Sequence, residues 1–304
     1  MSEIEPVHGA DFPALFRAAD SASLLTKARF VGRMRADLGL LIVGALISSV
    51  TWADEGTHGV ANIFSGTLLF GSMALTILVK MQKDEAQWYE ARALAESAKS
   101  LAWQYMSGAP PFGREVKAEA ADKLLVGRLG DLVKGRKGMF KELAKFASQG
   151  EGDAAQISDR MRSVRKSSFD ARKTLYLKQR VKDQSRWYNT SSSQNGTAAT
   201  RWLYAVAGAQ FLAAVAALIS ARAVNLGALV ACISTVAAAA ISWSQLNRFD
   251  ELAESYGVAA HDLTMIEVMA KHISDDETFG QFVQDAETAI SREHTMWSAR
   301  RGAV

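Results

Sequence analysis

Hydrophobic and polar positions are strongly segregated along this chain. Four runs carry no charged residue, Leu38–Ala53, Val60–Val79, Trp202–Ala221 and Ala223–Asn247, and the charges fill the rest. Runs of this length are long enough to cross a bilayer as helices, so the pattern predicts an integral membrane protein with four crossings. Asp11 followed by Pro13 predicts a helix start, and one continuous helix is expected from about Phe12 through the first run. The second run is expected to continue as a helix over Asp84–Ser107, stopped by Gly108 and the Pro110-Pro111 pair. A long helix is predicted from Ala155 to about Ser185, followed by a polar stretch at Thr190–Thr197 before the third run. After the fourth run, Leu246–Ile273 and Ser274–Arg301 read as two antiparallel helices, the second opened by a capping box over Ser274-Asp275-Asp276-Glu277.

Proline content supports this all-helical reading. The chain has four prolines, Pro6, Pro13, Pro110 and Pro111, so two very long stretches contain none. Loop-rich β and α/β folds use proline in their turns, whereas helices exclude it for want of a backbone donor. The expected fold class is therefore an all-α integral membrane protein, two transmembrane helical hairpins with long cytoplasmic extensions. Three segments follow from it: 1–113, a first two-helix unit; 114–154, a basic connector; and 155–304, a second two-helix unit.

Charge orients the expected crossings. Arg17, Lys27, Arg29, Arg33 and Arg35 precede the first run, Lys80, Lys83, Arg92 and Lys99 follow the second, and the intervening tip Asp54–Gly59 holds two acids and no Lys or Arg. Positive charge marks the cytoplasmic side, which predicts cytoplasmic termini and exterior tips at Asp54–Gly59 and near Arg222. The amino-terminal residues lack the basic and apolar regions of a signal peptide, so the first spanning helix is expected to direct insertion. The second pair of runs holds eight and seven alanines, where the first pair holds only Ala45, Ala53, Ala61 and Ala74. Alanine is nearly neutral for insertion, so a buried hairpin in a soluble bundle stays open for the second pair. In lipid, small residues let helices approach closely, which suits the second pair to the interior of a homo-oligomer.

Enzyme motifs are missing. The chain has no GxxxxGK[ST], HExxH, CxxC or GxSxG, its five histidines show no ligand spacing, and its single cysteine, Cys232, has no partner. Neither catalysis, a cofactor nor a metal is expected, and a net charge of +3 gives no reason to expect nucleic acid. Residues Arg114–Lys166 carry thirteen Lys and Arg against eight Asp and Glu. Lys134, Arg136, Lys137 and Lys141, with Arg162 and Arg165, form a basic cluster with three readings: a solvated face near anionic headgroups, a docking surface for a partner protein, or a nucleotide-phosphate pocket. Inside the apolar runs, Ser65, Ser72 and Thr76 share one helical face, Thr235 and Ser242 another, and Gln210 sits near the middle of the third run. Such groups either bond back to their own helix carbonyls or line a water-filled path.

Several aromatic and charged positions resemble a known family. Trp88-Tyr89-Glu90-Ala91-Arg92, Ala95-Glu96, Trp103-Gln104-Tyr105-Met106 and Ala109-Pro110-Pro111-Phe112 resemble the segment after the second membrane helix of SLATT proteins, the SMODS- and SLOG-associating two-transmembrane effectors. Tyr176, Gln179-Arg180, Asp183-Gln184 and Trp187-Tyr188-Asn189 resemble the start of a second such unit, and Phe282-Val283, Glu287, Glu293-His294 and Trp297 its end. The resemblance implies a tandem membrane effector of prokaryotic conflict systems, forming a pore when a separate sensor protein or nucleotide signal is activated. A non-conducting membrane scaffold whose cytoplasmic helices recruit a partner is the alternative.

Overall fold

The computed structural model describes the backbone of residues 5–50, 55–134, 155–222 and 226–301, with the side chains of 55–56 and 292–301 outside the description. All regular structure among the described residues is helical. A short 3-10 turn, Gly9–Asp11, precedes α1 (Ala14–Ser49). Asp11 closes that turn by accepting from the His8 amide at 2.7 Å instead of capping α1. The first amides of α1 find partners elsewhere: Ala14 donates to the Ala155 carbonyl and Leu15 to Gln156 Oε1. Helix starts leave such donors unmet by the helix itself, so residues 155–156 complete this one.

Helix α2 (Glu55–Gln82) leads into α3 (Asp84–Ser107), but Lys83 between them has a left-handed φ of 50°, so the expected continuous helix is broken there. α3 stops where predicted. Gly108 adopts φ 74°, a conformation that favours glycine, and an added Cβ would sit 2.9 Å from Arg114 Cδ. α4 (Ala118–Lys134) follows. The flexible break expected around Ser148 to Gly152 lies outside the described residues.

The single helix expected from Ala155 to Ser185 is three pieces. α5 (Asp159–Lys166) is capped by Ser158, whose hydroxyl accepts from the Met161 amide, and Ser167 and Ser168 are extended before α6 (Phe169–Tyr176). Serine bonds its own neighbourhood, as Ser167 Oγ does to the Val164 carbonyl, and so favours ends over interiors. A π-helical turn, Leu177–Val181, joins α6 to α7 (Lys182–Ser220). The polar stretch Thr190–Thr197 does not interrupt α7. Its side chains turn back to α7 carbonyls, Thr197 to Ser193 for example, while Ser192 Oγ donates to the Ala253 carbonyl at 2.7 Å.

α8 (Gly227–Asn247) ends at Arg248, left-handed with φ 48°, which divides the helix expected over Leu246–Ile273; α9 (Phe249–Met269) and a 3-10 turn, Ala270–His272, complete that stretch. α10 (Asp276–Arg301) is capped one residue later than predicted, with Asp275 Oδ1 accepting from the Thr278 amide at 2.8 Å. That bond holds the Asp275 carboxyl below its usual range.

The chain forms two compact units, and both halves of the sequence contribute to each. One comprises Met1–Lys27, Glu85–Thr190 and Ser255–Val304, the other Ala28–Asp84 and Ser191–Glu254. The segment boundaries read from the sequence, 113/114 and 154/155, do not follow this division. The first unit has a conventional apolar core in which Trp103, Tyr105, Phe112, Tyr176 and Phe279 are buried and meet largely edge to face. The second unit is inside out by the same standard. Ile63 is 73% exposed, Phe70 69%, Phe211 68% and Leu218 72%, while its buried positions include Ser65, Ser72 and Asp37. Large apolar side chains in this number face water only at great cost, and hydrocarbon is the solvent that suits them.

Three helical stretches among the described residues, Thr57–Ser107, Phe169–Ser220 and Gly227–His272, are long and apolar enough to cross a membrane. The first run is not among them. The described part of α1 beyond Asp37 ends at Ser49, which at about 1.5 Å per residue spans about 18 Å, short of a hydrocarbon core of about 30 Å.

Candidate functional site

Polar groups in the second unit concentrate where α2 meets α1. Ser65 Oγ donates to the Gly44 carbonyl at 2.8 Å, Ser72 Oγ to Asp37 Oδ1 at 2.5 Å, and Thr76 Oγ1 to both Asp37 oxygens at 3.3 and 3.4 Å. Rising numbers on α2 meet falling numbers on α1, so the two run antiparallel. The helices are in side-chain contact along this seam: a Cβ on Gly44 would touch Leu69 at 3.4 Å, and one on Gly71 would touch Leu40 at 3.4 Å, both ordinary packing distances. Below Asp37, Arg33 pairs with the buried Asp84. Of the candidate path-lining residues, Ser65 and Ser72 are thus buried against α1, and Thr76 reaches the same carboxylate. Asp37 was missed in the sequence because it borders the first apolar run instead of interrupting it.

The other candidates behave differently. Thr235 Oγ1 donates to the Ala231 carbonyl at 3.0 Å and Ser242 Oγ to the Ala238 carbonyl at 2.9 Å, so both satisfy themselves within α8. Gln210 and Ser242 are exposed on one chain. Trp202 and Trp243 lie 6.5 Å apart, as expected for aromatics at one end of two antiparallel helices, and the Arg35 guanidinium lies 5.3 Å from the Trp243 ring.

In the first unit, charge is buried at the centre. Arg180, on the inner side of the π turn, donates through Nε and Nη2 to both oxygens of Glu287 at 2.9 and 2.8 Å, and neither residue is more than 1% exposed. Tyr176 Oη and Ser100 Oγ also donate to Glu287. Glu96 approaches Arg180 at 3.7 Å and pairs with Arg92, which reaches Asp20. Burial pulls the Arg180 guanidinium down, but the charge and hydrogen bonds of Glu287, with Glu96, outweigh it and hold the pKa above the usual value. Burial and then the Glu287 charge push the Tyr176 phenol well up. Lys99 is pulled below its usual value, first by burial and then by the Arg180 charge.

The positions that carried the family resemblance separate into core and surface. Trp103, Tyr105, Arg180 and Tyr188 are buried, Trp88 and Tyr89 stack at 4.5 Å, and Trp187 packs on Tyr188 and Tyr256. Gln184 is half-buried. Pro110 and Pro111 are exposed, and a Cβ added at Gly280 would lie 3.3 Å from Pro110 Cδ, so this glycine lets α10 pass close to the turn. The side chains of Glu293 and Trp297 lie outside the description.

The described members of the basic cluster have different settings. Arg165 is buried, and its Nη1 and Nη2 groups donate to the carbonyls of Tyr105, Phe112, Gly113 and Val116, so four of its five N–H donors are engaged inside the protein. Arg162 pairs with Asp122 at 3.0 Å and with Asp159, and Lys134 with Asp131 at 2.9 Å, so their charges are locally balanced. Arg136, Lys137 and Lys141 lie outside the described residues. Among the described residues, no group of acidic, histidine or cysteine side chains is arranged to hold a metal ion.

A unit of outward-facing apolar helices, together with a unit that has its own aromatic core, defines a helical membrane protein. Two family models match it in tandem, SMODS and SLOG-associating 2TM effector domain 3 over residues 13–173 and domain 1 over residues 176–297. The chain belongs to this SLATT family and is a membrane effector. No curated protein and no solved structure matches it.

Proposed function

We propose that the protein is an oligomeric, signal-gated pore or ion channel in the prokaryotic inner membrane, acting in anti-phage or conflict defence. One observation carries this reading. Ala231, Thr235, Ala238 and Ser242 follow i, i+4, i+7 and i+11 on α8; Ala231, Ala238 and Ser242 are exposed and Thr235 is partly so. Small residues admit a close neighbour, and hydroxyls can replace part of an ion's hydration, so a ring of such faces suits a path between chains. On this reading α1 supplies a fourth crossing beside α2, the two pairs are membrane hairpins, both termini are cytoplasmic, and the action is conductive and not enzymatic. The trigger is a separate sensor protein or nucleotide signal.

A scaffold without conduction is favoured by a different feature: Val258, Met265, Val268 and Met269 on α9 are all more than half exposed and could seat a partner. Planar bilayers separate the two. Purified protein, with and without extract from an infected host, gives discrete conductance steps if it is a pore, and none under either condition if it is a scaffold.

A further inference from the structure

The geometry points to Asp37 as the fixed charge that makes this pore prefer cations, an assignment that rests on the proposal that the protein conducts and places the charge-selective stretch of the path on the α1–α2 seam, whether or not the α8 face lines the rest. Its depth is readable from α2. Lys80 ends the second apolar run, and Thr76 and Ser72 precede it by four and eight residues, about 6 and 12 Å at 1.5 Å per residue. Asp37 bonds to both hydroxyls, so its carboxylate lies between these two levels, on the membrane side of Lys80 and at the edge of the first apolar run.

Among the described residues, no cation pairs with this carboxylate. Arg33 is committed to Asp84 and Arg35 lies over the Trp243 ring. Among the described residues, the partners of Asp37 are the hydroxyls of Ser72 and Thr76. A carboxylate offers about four acceptor sites, so two hydroxyls leave it under-coordinated unless water or a cation reaches it.

A purely structural role is a poor account of this residue. Pinning α1 to α2 needs only a neutral acceptor, and Ser65 with the Gly44 carbonyl already supplies that on the same seam. A charged side chain within a membrane-spanning pair is costly and is kept where it faces an interior or a water-filled path, so intramembrane carboxylates mark ion pathways. Asp37 is 7% exposed with α1 and α2 in contact. The hydroxyls therefore occupy the oxygens that a cation takes when the helices part.

The test is selectivity, read as the reversal potential of the full-length protein in planar bilayers under a KCl gradient, with host extract. The wild type is expected to favour potassium over chloride. Asp37→Asn, which keeps an acceptor for Ser72, is expected to lower that permeability ratio roughly fivefold or more, since a fixed charge acts within about a Debye length. Asp37→Glu should retain the preference. If Asp37→Asn fails to assemble, Thr76→Lys sets a positive charge beside an intact Asp37 and should abolish or invert the preference. Wild-type conductance with a ratio unmoved by these substitutions overturns the assignment alone. A wild type that does not conduct overturns the pore reading and this assignment together.

Discussion

Arg180 and Glu287, 107 residues apart in the chain and contributed by the π turn and α10, form a two-pronged ion pair with essentially no contact with water. Burying two charges is unfavourable by itself, and only good geometry and further hydrogen bonds offset it. Both are present here. Tyr176 and Ser100 complete the carboxylate, and the pair holds α3, α6 and α10 in one arrangement.

Removing one partner leaves the other charge stranded. Glu287→Ala is expected to destabilise the protein by about 3–5 kcal/mol, whereas Arg180→Met with Glu287→Leu, which removes both charges, should recover most of the loss. Denaturant unfolding in detergent, followed by tryptophan fluorescence, measures both. A Glu287→Ala protein as stable as wild type would show that the pair does not act as a stabilising contact.

Lys99 gives the same core a pH dependence. Burial, then Arg180, depress its pKa below 10.5, although Glu96 and Glu287 oppose the shift. The folded state therefore binds this proton less tightly than the unfolded state does. Below the depressed folded pKa the lysine is charged in both states and imposes a constant penalty. Between that value and 10.5 the unfolded state holds more protons, so stability rises with pH in that window. Lys99→Met, still able to pack on Phe12 and Phe16, should raise the unfolding midpoint at neutral pH and flatten the alkaline rise. A midpoint that drops at neutral pH and keeps the rise would contradict this.

Topology is checked by labelling. With Cys232→Ser as background, cysteines at Thr57 and Ser148 are expected to react oppositely with an impermeant maleimide on intact cells, Thr57 from outside and Ser148 only after lysis. Labelling of both from outside would refute four crossings with cytoplasmic termini.

Charge segregation made the helical class and the apolar stretches legible, because membrane helices announce themselves in composition alone. The family was legible in aromatic positions such as Trp103, Tyr105 and Tyr188, all of which are buried in this chain. What escaped was context. Arg165 read as a surface cation beside Arg162, yet the carbonyls around the Gly108–Gly113 turn needed a buried fork of donors, and no spacing in the sequence signals that need. The π turn is equally silent, since one extra residue in a helix leaves no compositional trace. Asp37 was visible but discounted, because a charge at the edge of a run looks like its boundary.

The path itself is the last expectation. Thr235 and Ser242 keep their hydroxyl protons bonded to α8 carbonyls, which leaves the oxygen lone pairs directed outward on the face that includes Ala231 and Ala238. An ion passing such a face meets acceptors at two levels, seven residues or about 10 Å apart along the helix. Leucine at both positions removes the acceptors and adds bulk, which creates a hydrophobic constriction that dewets. The double substitution Thr235→Leu with Ser242→Leu should abolish single-channel steps and cellular toxicity, while membrane-fraction yield and oligomer mass stay at wild-type values. Gln210→Leu, on the neighbouring α7, should lower conductance without abolishing it, because the hydroxyls remain. Should the double variant conduct normally, the path must follow the α1–α2 seam of Asp37, Ser72 and Thr76 instead. Apolar replacement of Ser72 and Thr76 that also leaves conductance unchanged would remove the physical basis for a pore along either face.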